Sequence, residues 1–200
     1  WKTHLAPEER RLPGNGRLIS TWPIRTGPVL DRGVLHASCG LFPKFGTWAF
    51  GLDPATGDVL WKVPMAGISP QGYLLASSTR LFVPTGRTAP HMLGRGDGRD
   101  LGAFSVPGGT FALLVEDELV AGPGSKGILL AANTSTKETA AQFEADRGVI
   151  TPELIVLHRG EVVRAIDRTR LKALQAERKG LVRAQAAREA AGKSIDEIRD

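Results

Sequence analysis

The sequence contains little cysteine, few aromatic residues and no long apolar run. Cys39 is the single cysteine among 200 residues, so no disulfide can form within the chain. Aromatic residues make up only 6% of the chain, and no run of eighteen apolar residues predicts a membrane-spanning helix. Residues 1–167 also lack a basic stripe with interleaved aromatic rings, which argues against a nucleic-acid partner.

Glycine and proline are plentiful instead, with 24 and 13 residues respectively. This content is typical of a protein built from many tight hairpins. The chain is 42% hydrophobic, which is enough to form a sizeable core. We therefore expect a β-rich protein with short strands.

The most informative motif is F-G-L-D-P-A-T-G-D-V-L-W, residues 50–61. Asp53 can accept hydrogen bonds from the backbone N–H groups that follow it, and Thr56 belongs to the same turn. Gly57 supplies a positive φ without steric cost. The strand that resumes after the turn presents the indole of Trp61. The spacing D-x-x-T-G-x-x-x-W thus predicts a hairpin that docks one sheet against the next, with Asp53, Thr56, Gly57 and Trp61 as a structural docking motif.

The same turn recurs when the chain is aligned on Asp53. The equivalent positions follow at steps of 41, 39 and 34 residues, and they are Gly94, Asn133 and Asp167. Each repeat contains two earlier apolar runs around a turn, at 28–38, 73–86, 111–124 and 148–160. A period near forty residues with four short strands is the signature of a β-propeller blade.

The docking tryptophan itself is present only in the first full repeat. Gly102 and Ala141 occupy the position of Trp61 in the next two repeats. The pair Trp1-Lys2 duplicates Trp61-Lys62, which predicts that the chain opens on the last strand of a preceding blade. About four repeats make an incomplete ring, so we expect the remaining blades elsewhere in the same polypeptide.

The motif resembles the tryptophan-docking motif A-x-D-x-x-T-G-x-x-x-W. That motif belongs to the repeats of bacterial β-propellers of the pyrroloquinoline-quinone-like (PQQ-like) family. Gly51 takes the place of the leading alanine. The runs at 22–40, 70–87 and 112–127 extend the resemblance over about residues 1–167. It implies an all-β fold, a β-propeller of four-stranded antiparallel blades.

Two functions follow from this resemblance. The first is a non-catalytic binding or scaffold module of a bacterial cell-envelope or periplasmic protein, with a protein or carbohydrate partner, no cofactor and no catalytic residue. The alternative is a fragment of a PQQ-dependent quinoprotein oxidoreductase whose active site lies in missing blades. Quinoprotein dehydrogenases of this fold hold the quinone with an adjacent-cysteine disulfide, a tryptophan and a calcium ion. Because Cys39 is the single cysteine, that disulfide cannot form here.

Residues 168–200 differ from the rest in composition. They contain nine Lys or Arg against five Asp or Glu, which accounts for most of the formal net charge of +5. Strong helix formers dominate up to Ala191, so the segment predicts a basic, Ala-rich helical extension or inserted helix. We expect Gly180 and Gly192 to weaken or end it, and Ser194 with Glu197 to cap a new short helix.

Three further patterns have simple interpretations. The run Gly122–Gly127 could form an anion-binding nest, but a hairpin loop is favoured because no helix is predicted after it. The tripeptide Arg95-Gly96-Asp97 lies where the second docking hairpin is expected, which explains it as a turn. His36 and Cys39 have an H-x-x-C spacing, yet zinc needs three or four ligands and no second pair exists.

Overall fold

The computed structural model describes residues 1–86, 88–109, 111–123 and 126–196. These residues form short strands followed by one long helix. The chain divides into two compact units, Trp1–Asp146 and Arg147–Asp200. Each unit is described by itself below.

The first unit begins with a hairpin and a short strand, followed by a four-stranded antiparallel sheet, blade 1. The opening strands are β1 (Arg11–Gly14), β2 (Arg17–Ser20) and β3 (Thr26–Gly27). The strands of blade 1, in spatial order, are β4 (Val29–Asp31), β5 (Val34–Cys39), β6 (Trp48–Leu52) and β7 (Val59–Pro64). A 3-10 turn at Pro43–Phe45 connects β5 to β6, and β8 (Gly72–Tyr73) pairs in parallel with β3.

Blades 2 and 3 repeat the four-stranded antiparallel arrangement. The strands of blade 2 are β9 (Leu75–Ala76), β10 (Arg80–Val83), β11 (His91–Gly94) and β12 (Asp100–Ala103). The strands of blade 3 are β13 (Phe111–Val115), β14 (Glu118–Gly122), β15 (Ile128–Asn133) and β16 (Thr139–Glu144). The predicted all-β architecture of consecutive four-stranded blades is confirmed. Gly124 and Ser125 of the predicted loop lie outside the described residues.

Alternating side chains on the central strands form the core between blades. Along β10, Leu81 and Val83 belong to the apolar cluster shared with blade 1, whereas Phe82 belongs to the cluster shared with blade 3. All three are almost completely buried. Because side chains alternate between the two faces of a strand, a central strand packed on both faces reads as a continuous apolar run. This is why the sequence shows the runs but not which neighbour each residue contacts.

The second unit contains a three-stranded sheet, blade 4, and the helix. Its strands are β17 (Arg147–Ile150), β18 (Leu154–Arg159) and β19 (Val162–Asp167), followed by α1 (Arg168–Asp196). The prediction of a fourth docking hairpin at Asp167 is therefore wrong. Its Oδ1 accepts a hydrogen bond from the N–H of Arg170 at 2.8 Å, so Asp167 begins the helix in place of a turn.

The helix confirms the predicted C-terminal helical segment but not its predicted break. It continues through Gly180 and Gly192 as far as Asp196. A single glycine costs a helix only about 1 kcal/mol relative to alanine, which does not suffice to end it among strong helix formers. Glu197, the partner in the predicted capping box, lies outside the described residues.

The start of the helix is fastened to blade 4. Arg168 is buried, its N–H donates to the carbonyl of Glu153 at 2.8 Å, and its Nη1 donates to the carbonyl of Thr151 at 3.2 Å. Leu174 and Leu181 farther along are exposed. Within the described residues, no helix is long and apolar enough to cross a membrane.

Candidate functional site

The predicted docking hairpin connects β6 to β7 and is held by its own polar side chains. Asp53 Oδ1 accepts hydrogen bonds from the N–H groups of Ala55 at 2.7 Å and Thr56 at 3.1 Å. Thr56 Oγ1 accepts from the N–H of Asp58 at 3.2 Å and donates to its carboxylate. Gly57 has a φ of 81° and donates its N–H to the carbonyl of Asp53. These groups are therefore occupied in shaping the turn.

The second and third hairpins have the same backbone hydrogen bonds. The N–H of Gly98 donates to the carbonyl of Gly94 at 2.8 Å, and the N–H of Lys137 donates to the carbonyl of Asn133 at 2.9 Å. Asn133 Oδ1 also accepts two backbone hydrogen bonds, as Asp53 does. The turns thus keep one geometry while their side chains change.

Each of the first two hairpins receives an indole at its glycine. A Cβ atom added to Gly98 of blade 2 would lie 2.7 Å from the Trp61 ring of blade 1. A Cβ atom added to Gly57 would lie 2.6 Å from Cδ2 of Trp1, whose Nε1 donates to the carbonyl of Pro54 at 2.9 Å. The glycine therefore provides both the positive φ and the space for a ring.

Trp61 contacts the core on its other side through a buried histidine. The ring of His36 lies 5.7 Å from that of Trp61, centroid to centroid, and His36 is fully buried. Neither ring nitrogen of His36 nor Nε1 of Trp61 has a hydrogen-bond partner in the described part of the chain. Burial is the main cause that lowers the pKa of His36, with a smaller contribution in the same direction from Arg95 and an opposing one from Asp31.

Cys39 and His36 do not form a metal site. Cys39 is buried against Trp22, Phe50 and Leu52, and burial raises the pKa of its thiol to about 11. Among the residues that the structure describes, no three His, Cys, Asp or Glu side chains are grouped closely enough to hold a metal ion. The adjacent-cysteine disulfide that the quinoprotein resemblance implies cannot form, because Cys39 is the single cysteine of the sequence.

The structure also brings together three arginines that the sequence does not group. Arg80, Arg95 and Arg99 line one open cleft of about 470 Å³ at the β11–β12 hairpin. Arg95 also forms an ion pair with Asp31 of blade 1 at 2.6 Å. Arg80 begins β10 and Arg95 lies in the turn after β11, so their spacing in the sequence does not show that they share a cleft.

Comparison with known proteins shows a likeness of structure without a detectable likeness of sequence. No protein-family model matches the sequence, and no curated protein matches it. BamB from Moraxella catarrhalis is similar with a TM-score of 0.57 and 18% identity, over 73% of this chain and 47% of BamB. This chain thus spans about half the length of BamB.

Two computationally designed proteins are similar to the same degree. Ika8 gives a TM-score of 0.54 at 10% identity, over 76% of this chain and 47% of Ika8. Ika4 gives 0.56 at 11% identity, over 72% of this chain and 91% of Ika4. At such low identities the likeness concerns the fold alone. With neighbours that are β-propellers such as BamB, and with its series of four-stranded antiparallel blades, this chain has a propeller-type fold.

Proposed function

We propose that this chain is a non-catalytic propeller module that binds a protein or carbohydrate partner as part of a bacterial cell-envelope or periplasmic protein. We further propose that its repeats are of the PQQ-like type, with Asp53, Thr56, Gly57 and Trp61 as a structural docking motif and with no bound cofactor. The likeness in fold to BamB is consistent with this assignment.

The observation that supports a binding role is the constant geometry of three hairpins with different tips. The backbone bonds of the turns are shared, but the tip residues are Ala55-Thr56 in blade 1, Gly96-Asp97 in blade 2 and Ser135-Thr136 in blade 3. A rigid frame that presents variable loops is the usual arrangement of binding surfaces. The polar atoms of the turns are used for structure, and the one thiol is buried with a raised pKa.

The alternative, a fragment of a quinoprotein oxidoreductase, can be tested directly. Purified protein is titrated with PQQ and calcium and then assayed for dye-linked dehydrogenase activity, with a known quinoprotein dehydrogenase as the positive control. We expect no saturable binding and no dye reduction. Saturable binding with calcium-dependent dye reduction would overturn the proposal and establish the oxidoreductase.

A further inference from the structure

The arginine cleft has a composition suited to an anion. Its lining consists of Thr79, Arg80, Gly94, Arg95, Gly96, Asp97, Arg99 and Leu101. The lining thus contains three arginines and one carboxylate residue, Asp97, whose Oδ1 accepts the backbone N–H of Arg99 at 3.0 Å. Even with the external ion pair to Asp31, the cleft keeps an excess of positive charge.

Two of the guanidinium groups have donors that the protein does not satisfy. Nη1 of Arg80 and Nε of Arg95 are buried and have no hydrogen-bond partner among the described residues. The other contacts of these side chains are a 3.5 Å hydrogen bond from Arg80 Nη2 to the carbonyl of Ser135 and the ion pair of Arg95 with Asp31. Buried polar groups are nearly always hydrogen-bonded, so unpaired donors on two neighbouring cations call for an acceptor. Both arginines line the cleft, so an acceptor bound in it would lie next to them.

We propose that the cleft binds an oxyanion on a side chain of a partner protein, either a carboxylate or a phosphate. The planar guanidinium presents paired donors that match both groups. The lining contains no aromatic ring on which a base could stack, and single-stranded nucleic acid is held by such stacking together with a long basic groove. An acidic or phosphorylated peptide segment is therefore the occupant that the cleft favours.

The inference rests on the proposed function, since it names the chemistry of the partner that this module would bind. The cleft lies at the tip of a docking hairpin and includes Arg95, which bridges to blade 1, so a ligand here would contact a variable loop of the rigid frame. Arg95-Gly96-Asp97 then contributes as part of a turn that positions cations, with no requirement for the tripeptide as a whole.

The test measures fluorescence anisotropy of a labelled hexaglutamate peptide added to the whole chain at low ionic strength. A second arm uses a phosphoserine peptide of equal length, and a third uses a labelled single-stranded oligonucleotide. We expect the double substitution Arg80→Gln and Arg99→Gln to weaken binding of one of the two peptides at least about tenfold, because each lost charge-assisted bond is strong. The matched control, Arg11→Gln with Arg17→Gln, removes the same charge from the exposed β1–β2 hairpin and should change binding less than about twofold.

The outcomes separate cleanly. A preference for the glutamate or the phosphoserine peptide identifies the anion, and either supports the inference if the cleft substitutions weaken that peptide's binding at least about tenfold. Equal losses in the control pair, no peptide binding by the unaltered chain, or tighter binding of the oligonucleotide would overturn it. If the double variant fails to fold, Arg99→Gln alone decides, since Arg99 is exposed; a loss of less than about twofold would then count against the cleft. Calcium-dependent dye reduction would refute the proposed function while leaving the peptide result readable.

Discussion

Blades 1 and 2 fill the same position between sheets in opposite ways. In blade 1 the cross-strand row is His36, Gly51 and Trp61, and the indole of the outer strand lies over the glycine. In blade 2 the equivalent row is Phe82, Met92 and Gly102. There the outer strand supplies no side chain, and the two inner strands carry large, almost completely buried ones.

The comparison shows that the docking motif is one of two solutions to a single packing requirement. Both rows contribute large apolar side chains to the apolar cluster shared with the next blade. In blade 1 the outer strand supplies the side chain, and in blade 2 the two inner strands supply it. The receiving turns agree with this difference. An indole lies against Gly57 and against Gly98. The equivalent residue in the turn of blade 3 is Lys137, which has a φ of 61°, and the preceding blade has Gly102 in place of the tryptophan. Loss of the tryptophan therefore removes the need for space at the following turn.

The largest effect is expected for Trp61→Ala. Trp61 packs between His36 and the apolar cluster that blades 1 and 2 share. Removing its indole leaves a cavity, and the free energy of unfolding should fall by about 3 kcal/mol, because the residue is only half-buried. Urea unfolding measures the change. Trp1→Ala is the matched control: its ring is 62% exposed, so we expect about 1 kcal/mol or less. Equal losses of stability in the two variants would contradict the conclusion that Trp61 packs between blades and Trp1 does not.

Gly98→Ala should cost about 2 kcal/mol. The new Cβ would meet the Trp61 ring and would hold alanine at a φ of 70°. Lys137→Ala has no ring to meet and keeps the same backbone strain, so it should be nearly neutral. In a double-mutant cycle, Gly98→Ala should cost less on a Trp61→Ala background, because the collision is gone. Additive effects would show that the glycine serves only the turn.

His36 should make the free energy of unfolding depend on pH. Its counterpart in blade 2, Phe82, does not titrate and has no such effect. Burial lowers the pKa of His36 in the native state, so the unfolded chain binds more protons just below the ordinary value. Its contribution is thus complete above about pH 6.5 and is lost as the pH falls below that value, by at most about 1.4 kcal/mol per pH unit. Urea midpoints between pH 7.5 and 5.5 measure the loss.

The variant His36→Phe gives blade 1 the residue of blade 2 and serves as the control. It should reduce the pH dependence in this range. It also removes two buried nitrogens without partners, so the free energy of unfolding at pH 7.5 should rise by about 1 kcal/mol. An unchanged pH profile in this variant would show that other groups determine the acid sensitivity.

The features that the sequence predicts are local, and those that it misses depend on contacts between blades. The hairpins at 28–38 and 111–124 could be predicted because alternating runs and turn residues are neighbours in the chain. The sequence could not predict that Met92 and Phe82 replace the missing indole of blade 2. These two side chains fill an interface with another blade, whose residues lie far from them in the sequence. The sequence at Asp167 itself does not show whether this residue lies in a turn or begins a helix, because a carboxylate that accepts backbone N–H groups suits both. Only the strong helix formers after it distinguish the two.

The smallest effect concerns the turn that blades 1 and 3 share. Asp53→Ala removes the acceptor of two backbone hydrogen bonds at the protein surface and should cost about 1 kcal/mol. Asp53→Asn is the matched control, because Asn133 makes the same two bonds in blade 3, and it should be nearly neutral. Blade 2 has Gly94 at this position and keeps the backbone bonds of the turn, so the turn should still form in the Asp53→Ala variant. Urea unfolding of the two variants distinguishes the roles: equal destabilisation would mean that the charge of Asp53, and not its hydrogen-bond acceptor, stabilises the turn.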